Sequence, residues 1–136
     1  MSDLAPAGPA FANVSILIVE DEQLVALYLE DIVDGLGYHC CGTAATAEEA
    51  ISAAESQRPT LVLLDINLLG GGDGIALAHE LRERLEIPVI FLSGAMDSHT
   101  RLRAEAARPV GFLSKPCMTD DVAHALHTAL DILRPA

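Results

Sequence analysis

The sequence contains no tryptophan, and lysine occurs once, at Lys115, among eight basic residues. Against 20 acids this leaves a net charge of −12. That balance speaks against nucleic acid or an anionic membrane as a direct partner, because both are bound by clustered Lys and Arg. No apolar run approaches the ~20 residues a membrane span requires. Cysteine is scarce: Cys40, Cys41 and Cys117 are odd in number and lack metal-binding spacing, so neither a disulfide framework nor a cysteine metal site is expected. The opening stretch "MSDLAPAGPAFAN" has two prolines and no basic residue, which reads as a flexible tail over residues 1–12 and not as a signal peptide. A cytoplasmic location is the expectation. What remains is a chain of 136 residues, 51% hydrophobic, enough for one packed domain.

Its apolar residues alternate between two periods. "VSILIV", "TLVLLD" and "PVIFLS" are short, continuous and rich in branched side chains, the pattern of strands buried on both faces. "YHCCGTA" and "VGFLS" are weaker strand candidates. Between them run helical patterns. In "QLVALYLEDIVDGLG", Leu24, Leu27, Ile32 and Leu36 fall on one face and Gly35 and Gly37 supply the stop. "TAEEAISAAESQRP" starts with Thr46 as N-cap and Glu49 three residues on, a capping box. "DGIALAHELRERLE" ends before Pro88, and "DSHTRLRAEAARP" and "MTDDVAHALHTALDIL" complete the series. A strand–helix unit repeated five times with short connections predicts an α/β fold, a mostly parallel sheet with helices on both faces. One domain is expected, over residues 13–134.

In such a sheet the ligand crevice lies beyond the carboxyl ends of the strands. "LVLLDINLLGGGDG" ends an aliphatic run on a single acid, Asp65, and breaks into glycines. The first strand ends on Glu20 and Asp21, the fourth on Ser93, and Lys115-Pro116 follow the fifth. Taken singly each has a bland reading: an acidic pair facing a helix dipole, an Asp in a turn, a loop lysine. Together they bring three carboxylates to one edge, which calls for a cation, and hard oxygen donors suit Mg²⁺. A hydroxyl and a compact ammonium complete a set able to hold a phosphoryl group.

The blocks "ILIVEDE", "LVLLDINLLGGGDG", "VIFLSG" and "GFLSKP" resemble the signature blocks of the response-regulator receiver domain of two-component signalling, in that family's order, from residue 14 onward. The resemblance implies a doubly wound (βα)5 sandwich, flavodoxin-like, with a five-stranded parallel sheet of order 2-1-3-4-5. It implies that Asp65 accepts a phosphoryl group from a sensor histidine kinase or a histidine phosphotransfer protein. It assigns Mg²⁺, or Mn²⁺ in its stead, to Glu20, Asp21, Asp65 and the backbone carbonyl of Asn67. Ser93 matches the hydroxyl that bonds the phosphoryl group, Lys115 the lysine that pairs with it, and Phe112 the switch aromatic. Asp73 and Gly74 match the turn that opens the third helix. Four positions depart from the common pattern. No proline follows the phosphoacceptor, Pro109 precedes the fifth strand, and Cys117 stands where an aromatic is frequent. Phe112 lacks the hydroxyl of tyrosine, so its switch must work by packing.

The function this implies is a signalling switch and not an enzyme, beyond self-catalysed phosphotransfer and slow autodephosphorylation. Only one helix follows residue 116, so a stand-alone receiver is expected, acting on a downstream protein target or relaying the phosphoryl group. The responding surface is expected on the fourth helix, fifth strand and fifth helix, which is also where a homodimer would form. Gly70 to Gly72 would lower the cost of rearranging the adjacent loop. The rival reading is a Mg²⁺-dependent phosphohydrolase with an aspartate nucleophile. Such an enzyme places a general acid two residues further on, and here that residue is Asn67, which has no proton to give. A flavodoxin-like cofactor binder would need a phosphate-cradling turn after the first strand, which is missing. His124 and His127, at i,i+3 spacing, could form a metal pair or a phosphotransfer site, but read first as a half-exposed helix face.

Overall fold

A computed structural model of the chain describes residues 14–68, 73–94 and 96–133. The expected tail over residues 1–12 and the triple glycine Gly70 to Gly72 lie outside them, as do the outermost residues of the expected domain. The strands are β1 (Ser15–Val19), β2 (His39–Ala44), β3 (Leu61–Asp65), β4 (Val89–Ser93) and β5 (Gly111–Ser114). They alternate with α1 (Gln23–Gly35), α2 (Ala47–Gln57), α3 (Gly74–Leu85), α4 (Ser98–Ala106) and α5 (Thr119–Leu133). All strand pairs are parallel and the sheet order is β2-β1-β3-β4-β5, as expected. The two edges are irregular or short. The β1–β2 register shifts between Ile16 and Leu17, and β5 has four residues.

Alternation along the strands divides the core in two. Ile16, Ile18, Leu61, Leu63, Ile90 and Leu92 pack with α1 and α5, while Leu17, Val19, Val62, Leu64, Val89 and Phe91 pack with α2, α3 and α4. β3 and β4 are buried along their whole length, which explains their unbroken apolar sequence.

Local chemistry fixes the helix ends. Thr46 accepts a hydrogen bond from the Glu49 amide at 3.1 Å, and Glu49 Oε1 accepts from the Ala45 amide at 2.9 Å, one residue before the cap. Gly37, with φ of 95°, closes α1. The buried face of α1 differs from the expected one. Leu24 and Leu27 are 82% and 50% exposed, and the stripe against the sheet is Ala26, Leu29, Ile32 and Val33. The helix lies on the sheet through a small residue, so the leucines that dominate the pattern by size point outward. α3 ends where Glu86 turns left-handed, with φ of 57°, two residues ahead of Pro88.

Candidate functional site

Parallel pairing fixes where the strands end. β3 is central, and its last residue, Asp65, pairs beside Leu92, one residue before Ser93 on β4. Glu20 follows β1 directly, and its backbone amide bonds the Ala44 carbonyl at 2.9 Å. Lys115 follows β5, and its backbone amide bonds the Ser93 carbonyl at 2.7 Å. Four strand ends thus bring Glu20, Asp21, Asp65, Ser93 and Lys115 to one edge of the sheet.

The carboxylates converge. Glu20, Asp21 and Asp65 each present an oxygen within 4.8 Å of the others. Glu20 and Asp65 are 2% and 4% exposed, whereas Asp21 is half-buried. Glu20 Oε2 accepts from the Glu22 amide at 3.1 Å, and Asp65 Oδ1 from the Asn67 amide at 3.0 Å. The Lys115 ammonium reaches both acids, donating to Asp65 Oδ2 at 3.0 Å and standing 2.7 Å from Glu20 Oε1. The second contact is a short ion pair, so the ammonium is shared between two buried carboxylates.

These contacts set the protonation behaviour. Burial pushes the Glu20 carboxyl above its ordinary value, against the lowering influence of Lys115 and the Glu22 amide. Burial works the other way on Lys115, but Glu20 and Asp65 outweigh it and hold the ammonium charged above its ordinary range. Three acids and one ammonium leave negative charge uncompensated in a largely buried pocket, a donor set made for a hard cation.

Gly74 positions the acid from behind. A Cβ there would stand 2.7 Å from both Cα and the carbonyl oxygen of Ile66, and closer still to the carbonyl oxygen of Asp65. Only glycine lets the start of α3 lie this tightly on the end of β3. Asp73 caps that helix, its Oδ1 accepting from the amides of Ile75 and Ala76 at 2.9 and 3.4 Å.

Ser93 is buried at the end of β4 and lines a cavity of about 430 Å³ with Met96, Asp97, Arg101, Phe112 and Ser114. Phe112 sits half-buried across that cavity, its ring 5.8 Å from Phe91. Glu20, Asp21, Asp65, Ser93 and Lys115 therefore lie at one end of the sheet, with Asn67 two residues past Asp65, while Phe112 lies further back on β5, paired beside Phe91 and three residues before Lys115. Two contacts went unread. The Arg101 guanidinium stands 4.1 Å over the Phe112 ring, and Arg103 donates to Asp73 Oδ2 at 2.8 Å. Only the Arg101–Glu105 pair, at i,i+4, left a trace in the sequence. His127 packs edge-on to Tyr38. No helix among the described residues is long and apolar enough to cross a membrane.

Comparison with known proteins identifies the family and the fold. Residues 16–127 match the model of the response regulator receiver domain. The chain is 39% identical over 116 residues to the phyllosphere-induced regulator PhyR of Methylorubrum extorquens, covering 85% of this chain and 43% of the relative. It is similar to the solution structure of the receiver domain of Erythrobacter litoralis PhyR, with a TM-score of 0.80, 33% identity, and coverage of 93% of this chain and 98% of that one. It is also similar to a structure described as the anti-anti-sigma factor PhyR from Bartonella quintana, with a TM-score of 0.74, 28% identity, and coverage of 89% and 50%. The chain spans about half the length of the curated relatives it matches.

Proposed function

Because the chain belongs to the response regulator receiver domain family, we propose that it is a phosphorylation switch in which Asp65 accepts a phosphoryl group. The donor in this reading is a phosphohistidine on a sensor histidine kinase or a histidine phosphotransfer protein. The observation that carries it is the setting of Asp65. It is a buried carboxylate at the end of the central strand, oriented by the Asn67 amide through one oxygen and by Lys115 through the other. An Asp65 oxygen attacks phosphorus, the P–N bond to the donor imidazole breaks, and the ring nitrogen leaves with its electron pair.

The donor set fits Mg²⁺, or Mn²⁺, held by Glu20, Asp21, Asp65 and the Asn67 backbone carbonyl, because three carboxylates present oxygens within 4.8 Å of one another and a single ammonium leaves their charge uncompensated. When bound, such a cation neutralises charge on the phosphoryl oxygens. Lys115 moves from the carboxylates to a phosphoryl oxygen as Asp65 loses its anionic oxygen, and the Ser93 hydroxyl donates to another. Those two shifts act on the ends of β4 and β5, and Phe112 lies on β5. The responding surface is therefore α4, β5 and α5, and its ligand is a downstream protein or a second copy of the chain. The description of the Bartonella quintana relative as an anti-anti-sigma factor supports output through a protein partner.

Intact-mass measurement after incubation with acetyl phosphate and Mg²⁺ tests the reading. One phosphoryl group should be added to the parent and none to Asp65→Asn, and a modified Asp65→Asn protein overturns the assignment. Multiple turnover of a generic phosphatase substrate would favour the hydrolase instead.

A further inference from the structure

α4 is the helix held least by apolar packing. Its only buried side chain is Ala104, and its larger apolar residue, Leu102, faces outward. Burying one methyl group contributes little, so polar contacts decide where the helix lies. Among the described residues two such contacts leave the helix, and they reach opposite flanks of the site.

Toward β5, the Arg101 guanidinium stands 4.1 Å from the centre of the Phe112 ring, while its Nε donates to Glu105 Oε2 at 3.0 Å and so holds the group in place. Toward β3, Arg103 Nη2 donates to Asp73 Oδ2 at 2.8 Å. Asp73 is the cap of α3, and Gly74 beside it rests on the backbone of Asp65 and Ile66. One arginine thus ties α4 to the strand that leads to Lys115, and the other ties it to the turn that supports Asp65.

We propose that Arg101 and Arg103 are positioning residues that clamp α4 in the resting state and so set the threshold for phosphorylation of Asp65. The proposal rests on the receiver reading and deepens it. Drawing Ser93 toward a phosphoryl group moves the segment that leads into α4, and α4 cannot follow without loosening one tie or both. The clamp favours the resting arrangement, and a phosphodonor or phosphoryl mimic that needs the other arrangement meets an affinity reduced by the fraction of molecules that have it. The arginines are about half exposed (49% and 47%), so each tie is a surface-strength contact.

The test compares the parent with Arg101→Gln, Arg103→Gln and Asp73→Asn. The last keeps a capping side chain while removing the charge that Arg103 meets. Three quantities are read: the phosphorylation rate with acetyl phosphate and Mg²⁺, the affinity for beryllofluoride, and the ring-proton shifts of Phe112 without ligand. Releasing one tie should raise rate and affinity about two- to fivefold, and move the Phe112 signals toward their beryllofluoride-bound positions. Arg101→Lys, which keeps a cation over the ring, should return the values toward the parent. Unchanged or slower phosphorylation in both arginine variants, with Phe112 signals unmoved, overturns the clamp while leaving the receiver reading intact. A parent protein that takes no phosphoryl group on Asp65 overturns both.

Discussion

Lys115 carries the resting site alone, because among the described residues no other basic side chain meets Glu20 or Asp65. Replacing it by Met leaves two buried carboxylates without their cation, and a loss of about 1–3 kcal/mol of stability is expected from thermal denaturation. Mg²⁺ should raise the melting temperature of Lys115→Met more than that of the parent, since it supplies the missing charge. Equal Mg²⁺ stabilisation in both would mean that the acids do not share a cation. Asp73 gives a pH signature. Burial acts to raise its carboxyl, yet Arg103 and the amides of Ala76 and Ile75 outweigh this and hold it below its ordinary 3.8. A carboxyl depressed in the folded state contributes stability that is present above its unfolded value and lost as pH falls through the folded one. The pair is half exposed, so Arg103→Gln should cost only about 0.2–1 kcal/mol at neutral pH. That gap should close below pH 3.8, as read by urea denaturation across pH. Cys40 is inert for a related reason. Burial pushes its thiol up to about 11, so alkylation followed by mass spectrometry at pH 7 should find it slow.

The elements show which parts of the sequence were readable. Strand-end chemistry was legible at Glu20, Asp21, Asp65 and Lys115 because a parallel sheet sends every strand end to the same side, so position along the strand suffices. The capping box at Thr46 was legible because it is local. The face of α1 was not, since helix azimuth depends on how closely the helix lies on the sheet, and Ala26 rather than Leu24 or Leu27 makes that approach. The ties of α4 were hidden for the same reason, compounded by distance. Arg103 and Asp73 are 30 residues apart, and only the packed azimuth of α4 brings them together. The element most sensitive to a single methyl group is α3. Gly74→Ala would drive Cβ into the backbone of Asp65 and Ile66, which must yield because no flexible side chain lies in the way. A cost of about 1–3 kcal/mol is expected from denaturant unfolding, with slowed phosphorylation as Asp65 is displaced. A neutral Gly74→Ala would show that the turn tolerates what the contact distances forbid.

At the scale of the whole molecule the net charge of −12 opposes compaction. Monovalent salt should therefore raise the melting temperature between low ionic strength and about 0.15 M, where the Debye length falls to ~8 Å. A flat response would place the repulsion in the buried acids alone. The ends of the sheet bear on a different matter, the fate of the protein when crowded. β2 and β5 are its outer strands, and an outer strand with free amides and carbonyls is a template onto which another chain can zip. Here one is broken by a register shift opposite β1, and the other is four residues long with Pro109 before it and Pro116 after it. Neither offers a long, flat rail. Strand-to-strand growth is then disfavoured at both edges, and with it the hysteresis that cross-strand fibres impose on a cell.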